Sequence, residues 1–246
     1  TLMPMSYIFR EHIKQSLAVI AFLITLTACT SESYDAGDGP NSYLTADLVL
    51  LHTSQDKSVR SALLDDGTTL QFSNPFVQDW LTRPDSVYRA LLYYDKTVAA
   101  SDAAASNPTA TSIVRARSVR PISVLRPVEA EDMETLRTDP VGFESLWLSK
   151  NKSYINLSLL LKSGKTEADD ALHALGIVSH GTTTDADRRR TLHLTLYHDQ
   201  GGVPAYYTVQ QYVSIPTQLL EKADTVELTL NTYNGKKVVK VAVSNL

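Results

Sequence analysis

The sequence contains a single cysteine, Cys29, among its 246 residues. Because Cys29 is also the predicted site of lipid attachment, no thiol remains for a disulfide, a thiolate nucleophile or a cysteine metal site. A stable fold must therefore depend on packed apolar cores. The net charge of −4 gives no excess of basic residues to neutralise phosphates, so we expect no nucleic-acid partner.

Common enzyme and metal-site motifs are also missing. The chain has no His-Glu-x-x-His pair and no Gly-x-Ser-x-Gly nucleophile elbow. His193 and His198 lie an odd number of residues apart on one predicted strand, so alternation sends them to opposite faces. Neighbouring acids such as Asp65 and Asp66 fall in predicted turns, where Asp commonly hydrogen bonds the backbone. We therefore predict no catalytic residue, no metal site and no cofactor.

The apolar stretch at 17–26 is too short to span a membrane, which needs about 20 apolar residues. It follows Arg10 and Lys14 and ends in small residues, which is the pattern of a secretory signal peptide. The lipobox residues are Leu26, Thr27, Ala28 and Cys29. We predict a lipoprotein signal peptide over 1–28, acyl chains such as palmitate on Cys29, and an outer-membrane anchor facing either the periplasm or the cell surface.

The rest of the chain predicts an all-β protein. Residues 29–42 are small, polar and turn-rich, which favours a tether. Over 43–127, three predicted strands, a short helix at 74–81 and two further strands follow the order of an OB-like five-stranded barrel. Residues 128–142 form an acidic predicted linker. Residues 143–246 contain about seven strand patterns separated by turn signals, which is typical of an antiparallel β-sandwich.

The barrel offers one candidate for a ligand face. Its fourth predicted strand alternates between two sets, Val87, Arg89, Leu91 and Tyr93 against Tyr88, Ala90, Leu92 and Tyr94. Arg115 and Arg117 share one face of the neighbouring strand. Because aromatic and basic side chains together bind sugars and peptides, we expect Tyr88, Tyr94, Arg115 and Arg117 to form a binding surface for carbohydrate or peptide.

The chain resembles the NigD-like lipoprotein family. The resemblance is carried by the lipobox, by Leu63–Gly67 in the barrel, and by Trp147-Leu148 and Tyr154–Leu157 at the start of the second domain. Tyr212–Ile215 and Val226–Asn234 continue it. The resemblance implies an OB-like barrel followed by a β-sandwich, and a role linked to bacteriocin immunity. It implies no catalytic residues.

The predicted function is that of a lipid-anchored binding or recognition protein of the cell envelope, without catalytic activity. Its expected partners are the membrane, through the acyl anchor, and a peptide, a glycan or an envelope protein. One alternative is a structural subunit of an envelope assembly, in which exposed sheet edges pair with other proteins. A less favoured alternative is a hydrolase that acts on glycans or the cell wall.

Overall fold

A computed structural model describes residues 44–96, 112–165, 172–220 and 222–243. The predicted signal peptide, the lipobox with Cys29 and the predicted tether lie outside these ranges. The barrel strands are β1 (Leu44–Thr53), β2 (Val59–Leu64), β3 (Thr69–Phe76), β4 (Val87–Lys96) and β5 (Ser112–Pro121).

The five strands close into a barrel in the order β1-β2-β3-β5-β4, and β4 pairs back onto β1. All neighbours are antiparallel except β3 and β5, which run parallel. This is the connectivity of an OB-type barrel, so the predicted fold of this region is confirmed. Because side chains alternate along a strand, one set fills the interior, where Val49, Leu51 and Leu92 are fully buried.

The helix predicted at 74–81 is wrong. Asn74 and Pro75 lie inside β3, and the chain then turns irregularly towards β4. Asn followed by Pro can begin a helix, but here the Asn74 side chain is used to pair strands instead. Its amide nitrogen donates to the Ala116 carbonyl, and its oxygen accepts from the Ala116 N–H, both at 3.0 Å. Asn74 thereby extends the contact between β3 and β5.

The second half of the described chain folds into two facing sheets, as the sequence predicts. Its strands are β6 (Ser123–Val124), β7 (Pro127–Glu129), β8 (Gly142–Leu148), β9 (Tyr154–Ser163), β10 (Ala174–Thr184), β11 (Arg190–Asp199), β12 (Tyr207–Pro216), β13 (Thr225–Thr232) and β14 (Gly235–Ala242). One sheet has the order β14-β13-β11-β10-β7 and the other β6-β12-β9-β8. The pairs β11–β13, β10–β7 and β12–β6 are parallel, so the sheets are mixed rather than wholly antiparallel.

Sheet pairing places the passage from barrel to sandwich earlier than the predicted boundary at 127. Strands β6 and β7 already belong to the sandwich, so the barrel ends with β5 at Pro121. The predicted linker 128–142 also pairs with the sandwich, because the Asp139 N–H donates to the His198 carbonyl at 2.9 Å. Val141 bridges to Thr232 and is fully buried. This segment is thus part of the second domain.

The barrel and the sandwich lie in one compact unit that begins at Leu44. Between them, Leu48 and Leu91 from the outer face of the barrel form a buried cluster with Ile122. Tyr93, Trp147 and Tyr212 pack against this cluster. Both faces of β4 are therefore covered, one by the barrel core and the other by the sandwich.

Candidate functional site

A cleft of about 370 Å³ lies where the barrel meets the sandwich. Ala46 and Leu48 of β1 line it from the barrel, together with the last residue of β2, Leu64, and with Asp65 and Asp66 of the turn that follows. Trp147 and residues 148–150 line it from the sandwich. Clefts at domain boundaries are common ligand sites, because two rigid walls can approach a ligand from different sides.

Three aromatic side chains give the cleft its apolar surface. Tyr93 comes from β4, Trp147 from β8 and Tyr212 from β12. Trp147 and Tyr212 meet edge to face, with ring centroids 6.4 Å apart and planes at 84°. Packing against Leu48 and Leu91 holds these rings from behind. The cleft therefore presents a fixed aromatic surface, which suits apolar side chains or the faces of sugar rings.

Polar groups at the edge of the cleft complement this surface. Asp65, Asp66 and Lys150 all line it. The Thr68 N–H donates to the Asp66 carboxylate at 2.9 Å, and this hydrogen bond lowers the Asp66 pKa. Asp66 is therefore a stable negative charge at neutral pH. Lys150 also favours the charged form of Asp66.

Asp47 is held from the inside of the barrel. The Tyr94 hydroxyl donates to its carboxylate at 2.8 Å. Burial, followed by the hydrogen bond to Asp47, raises the Tyr94 pKa, so the phenol stays protonated and remains a donor. Asp47 also lines the cleft, and the geometry of this wall is thus fixed by the barrel interior.

A buried ion pair fixes the relative position of the two walls. The Arg89 side chain is only 1% exposed and binds Asp65 through two hydrogen bonds of 2.6 and 2.7 Å. Arg89 Nε also donates to the Ser214 hydroxyl at 3.1 Å, and Nη2 donates to Asn156 Oδ1 at 3.0 Å. Its guanidinium lies 4.4 Å from the centroid of the Tyr154 ring. Arg89 thus links a barrel strand to two sandwich strands.

The remaining polar atoms of this network are also paired. The Asn156 amide donates to Asp65 at 3.0 Å, and the Ser214 hydroxyl donates to Asn156 Oδ1 at 2.8 Å. A buried charge is tolerated only with such full pairing. The network was not predicted from the sequence. The signal that could have revealed it is Arg89 itself, a lone charge in an otherwise apolar stretch of strand.

The predicted ligand face is wrong as a single surface. Tyr94 is 3% exposed, and both Tyr88 and Tyr94 point into the barrel core. Arg115 and Arg117 are exposed on the outside, where Arg117 forms an ion pair with Asp95. The alternation in β4 was assigned correctly, but both of its faces are largely apolar. The sequence therefore could not tell which set faces the interior.

His193 and His198 lie on opposite faces of the sheet, as predicted. His198 is buried, whereas His193 lies on the outer face of the five-stranded sheet between Thr183 (2.7 Å) and Glu227 (3.1 Å). The hydroxyl of Thr183, the imidazole of His193 and the carboxylate of Glu227 follow the order of a hydrolase triad. Glu227, however, also binds Lys240 at 2.8 Å. None of these residues lines the cleft. Within the described ranges, no group of three or more acidic, His or Cys side chains is placed to hold a metal.

Residues 124–243 match the family model of the NigD-like C-terminal beta sandwich domain. The sandwich matches the NigD-like family. The resemblance inferred from the sequence is therefore confirmed for this part of the chain. No helix among the described residues is long and apolar enough to cross a membrane.

Solved structures with a similar fold come from Bacteroides and Parabacteroides species. A NigD-like immunity protein from Bacteroides caccae is 22% identical with a TM-score of 0.59, and the match covers 80% of this chain and 91% of that one. A candidate lipoprotein from Bacteroides fragilis is 13% identical with a TM-score of 0.56, covering 82% and 98%. A candidate toxin-related protein from Parabacteroides distasonis is 20% identical with a TM-score of 0.52, covering 80% and 92%.

At these identities the likeness shows a common fold across barrel and sandwich. No curated protein matches the chain in sequence. The NigD-like sandwich is thus preceded by an OB-type barrel, and the cleft and the Arg89 network lie between the two.

Proposed function

We propose that this protein is a non-catalytic recognition protein of the cell envelope, which captures a bacteriocin-like peptide in the cleft between barrel and sandwich. The observation that carries the proposal is the cleft itself, with its three supported aromatic rings and its charged edge. Its walls are held by the Arg89–Asp65 pair, so little conformational freedom is lost when a ligand binds.

The chemistry of the cleft favours a peptide that carries apolar and basic side chains. Tyr93, Trp147 and Tyr212 offer aromatic surface to an apolar side chain. Asp47 and Asp66 carry negative charge on the same lining, whereas Lys150 is its single cation. Asp65 is already neutralised by Arg89. A cleft of about 370 Å³ admits a short segment of such a peptide rather than a folded domain.

The comparisons support an immunity role, because one structure with this fold is a NigD-like immunity protein and another is a candidate toxin-related protein. The predicted lipid on Cys29 would hold the cleft close to a membrane. The candidate lipoprotein among the neighbours is consistent with this placement. Capture at the envelope requires no chemical step, so a protein without catalytic residues can provide it.

The chain offers a matched pair of tryptophans to test the cleft. It has only two, Trp147 in the cleft and Trp80, which packs with Tyr88 in the barrel. We expect a bacteriocin that binds to change the fluorescence of wild type and of Trp80→Phe, and to leave that of Trp147→Phe unchanged. Cells that express wild type or Trp80→Phe should survive that bacteriocin, whereas Trp147→Ala cells should not.

Two outcomes would contradict the proposal. If a panel of purified bacteriocins neither binds the protein nor kills unprotected cells selectively, peptide capture is wrong. If Trp147→Ala protects as well as wild type, the cleft is not the site. A Cys29→Ser variant should lose protection together with its membrane attachment, and a protein that stays lipid-bound without Cys29 would show that the anchor lies elsewhere.

A further inference from the structure

A second groove, of about 420 Å³, lies on the sandwich, and none of its lining residues lines the cleft. Gly142 and Phe143 at the start of β8 line one side, and residues 232–237 of the β13–β14 hairpin line the other. None of the residues that line the groove carries a carboxylate. Two of them, Lys236 and Lys237, carry a positive charge. In a chain of net charge −4, this is a locally basic surface.

The groove lies beside two sheet edges. Among the described residues, β14 pairs only with β13, and β8 pairs only with β9. The residues of β14 are exposed along most of the strand, including Val238, which is 47% exposed. A strand edge with free N–H and C=O groups is a template on which an extended segment can add another strand.

Charges along β14 restrict what can add to this edge. Lys236 and Lys240 alternate with Lys237, Val239 and Val241, so positive charge lies on both faces of the strand near its start. Lys237 points towards the sandwich, with its ammonium 4.6 Å from the centroid of the Phe143 ring. A second copy of β14 would bring lysines against lysines, which is unfavourable across a strand pair. A segment with carboxylates would meet opposite charges instead.

The aromatic wall of the groove is held in place. The Tyr233 N–H donates to the Val141 carbonyl, and the Tyr233 hydroxyl accepts from the Lys162 N–H, each at 3.2 Å. Lys162 Nζ lies 5.8 Å from the centroid of the Tyr233 ring and donates to the Thr208 hydroxyl at 3.0 Å. Tyr233 nevertheless remains 44% exposed, so it offers a preformed contact at low entropic cost.

We propose that this groove docks an extended acidic segment of a partner protein, which adds as a strand to the edge of β14. The backbone of the segment pairs with β14, and its carboxylates lie opposite Lys236 and Lys237. An apolar side chain of the segment packs between Phe143 and Tyr233. The groove is separate from the cleft, so the two proposals can fail independently.

The test is a binding titration with two synthetic peptides of about eight residues, a typical strand length. One carries two adjacent glutamates flanked by threonines, so that a carboxylate projects to each face of the strand, and the other carries lysines at the same two positions. We expect the full chain in detergent to bind the acidic peptide at least about tenfold more tightly, since two opposite-charge pairs form across the strands and the basic peptide meets like charges instead. Backbone NMR shifts should change along β14 and at Phe143 and Tyr233, and added salt should weaken binding.

Charge-matched variants separate the groove from net charge. Lys236→Glu/Lys237→Glu should abolish the preference for the acidic peptide. Lys57→Glu/Arg60→Glu makes the same charge change on the exposed surface of the barrel and should retain it. Equal loss in both variants, or shifts confined to residues outside the groove, would overturn the proposal. So would binding of heparin but not of the acidic peptide, because that result would identify the surface as a site for anionic glycans.

Discussion

At the scale of single residues, Arg89 is the side chain on which the site most depends. It carries a full charge, lies almost wholly out of water and contacts Asp65, Asn156 and Ser214. Taking a charge out of water is costly, and pairing with hydrogen bonds offsets that cost. Removing one member of the pair therefore harms the fold more than loss of an exposed pair would.

We predict that Arg89→Met lowers the free energy of unfolding by about 3 kcal/mol, since Asp65 and Asn156 lose their main partner. Arg117→Met is the matched control. Its ion pair with Asp95 is 43% exposed on the arginine side, and we expect a cost of less than about 1 kcal/mol. Urea denaturation measures both changes. Equal costs for the two variants would show that the buried network is not what stabilises the junction.

His173 gives the sandwich a dependence on pH. His198 Nδ1 donates to the Asp139 carbonyl at 3.0 Å, so its Nε2 accepts from His173 Nδ1, also at 3.0 Å. Burial, and then the electrostatic effect of the neighbouring His198 ring, lowers the His173 pKa below its ordinary 6.5. The unfolded chain therefore takes up a proton at His173 before the folded chain does, and stability falls as the pH drops below about 6.5.

We expect the melting temperature to fall between pH 7 and pH 5, and we expect His173→Gln to reduce that fall. His52→Gln removes an exposed histidine of the barrel and serves as the control variant. Calorimetry between pH 7 and pH 5 measures whether the melting temperature falls as expected. Carboxylates with lowered pKa values, such as Glu227, lose their contribution only at more acidic pH, so they do not mask the effect. If the melting temperature depends on pH in the same way in His173→Gln and His52→Gln, His173 is not the source of the pH dependence.

At the scale of elements, closure of the barrel depends on a short parallel contact. Strands β3 and β5 pair at three positions, from Leu70–Ser112 to Phe72–Val114. The Ser73 hydroxyl then donates to the Val114 carbonyl at 3.2 Å, and Asn74 continues the contact through its side chain. Two polar side chains thus take over where backbone pairing ends.

We predict that Asn74→Ala destabilises the protein by about 1 to 2 kcal/mol, because the N–H and C=O of Ala116 lose their partner. Gln71→Ala changes an exposed side chain of the same strand and should cost much less. Thermal unfolding compares the two. Hydrogen exchange at Ala116 adds a local measurement, and an unchanged exchange rate there in Asn74→Ala would contradict this account.

The sequence predicted which segments form strands far better than it predicted which distant residues contact one another. Alternation placed most strands, and Asp65-Asp66-Gly67 predicted the turn that the structure shows between β2 and β3. Local signals did not distinguish a helix start from a strand at Asn74-Pro75, because the deciding contact is with distant Ala116. The candidate site was missed for the same reason. Arg89 and Ser214 lie far apart in the chain, and no periodicity reports such a contact.

At the scale of the whole molecule, the barrel and the sandwich are joined by apolar and polar contacts together. The cluster of Leu48, Leu91 and Ile122 buries apolar surface, and the Arg89 network lies beside it. The barrel core is small, so the barrel alone would bury less of its surface than the complete unit does. We therefore expect the two parts to unfold in a single cooperative transition.

Single-tryptophan variants can measure this cooperativity. Trp147→Phe leaves Trp80 as a reporter of the barrel, and Trp80→Phe leaves Trp147 as a reporter of the junction on the sandwich side. Within each variant, tryptophan fluorescence and far-UV circular dichroism should give the same midpoint in urea, because neither part holds its structure after the other is lost. Added to each variant, Arg89→Met should separate the midpoints, with the barrel unfolding first. Different midpoints without that substitution would mean that barrel and sandwich are independent, and that the cleft between them is not a rigid site.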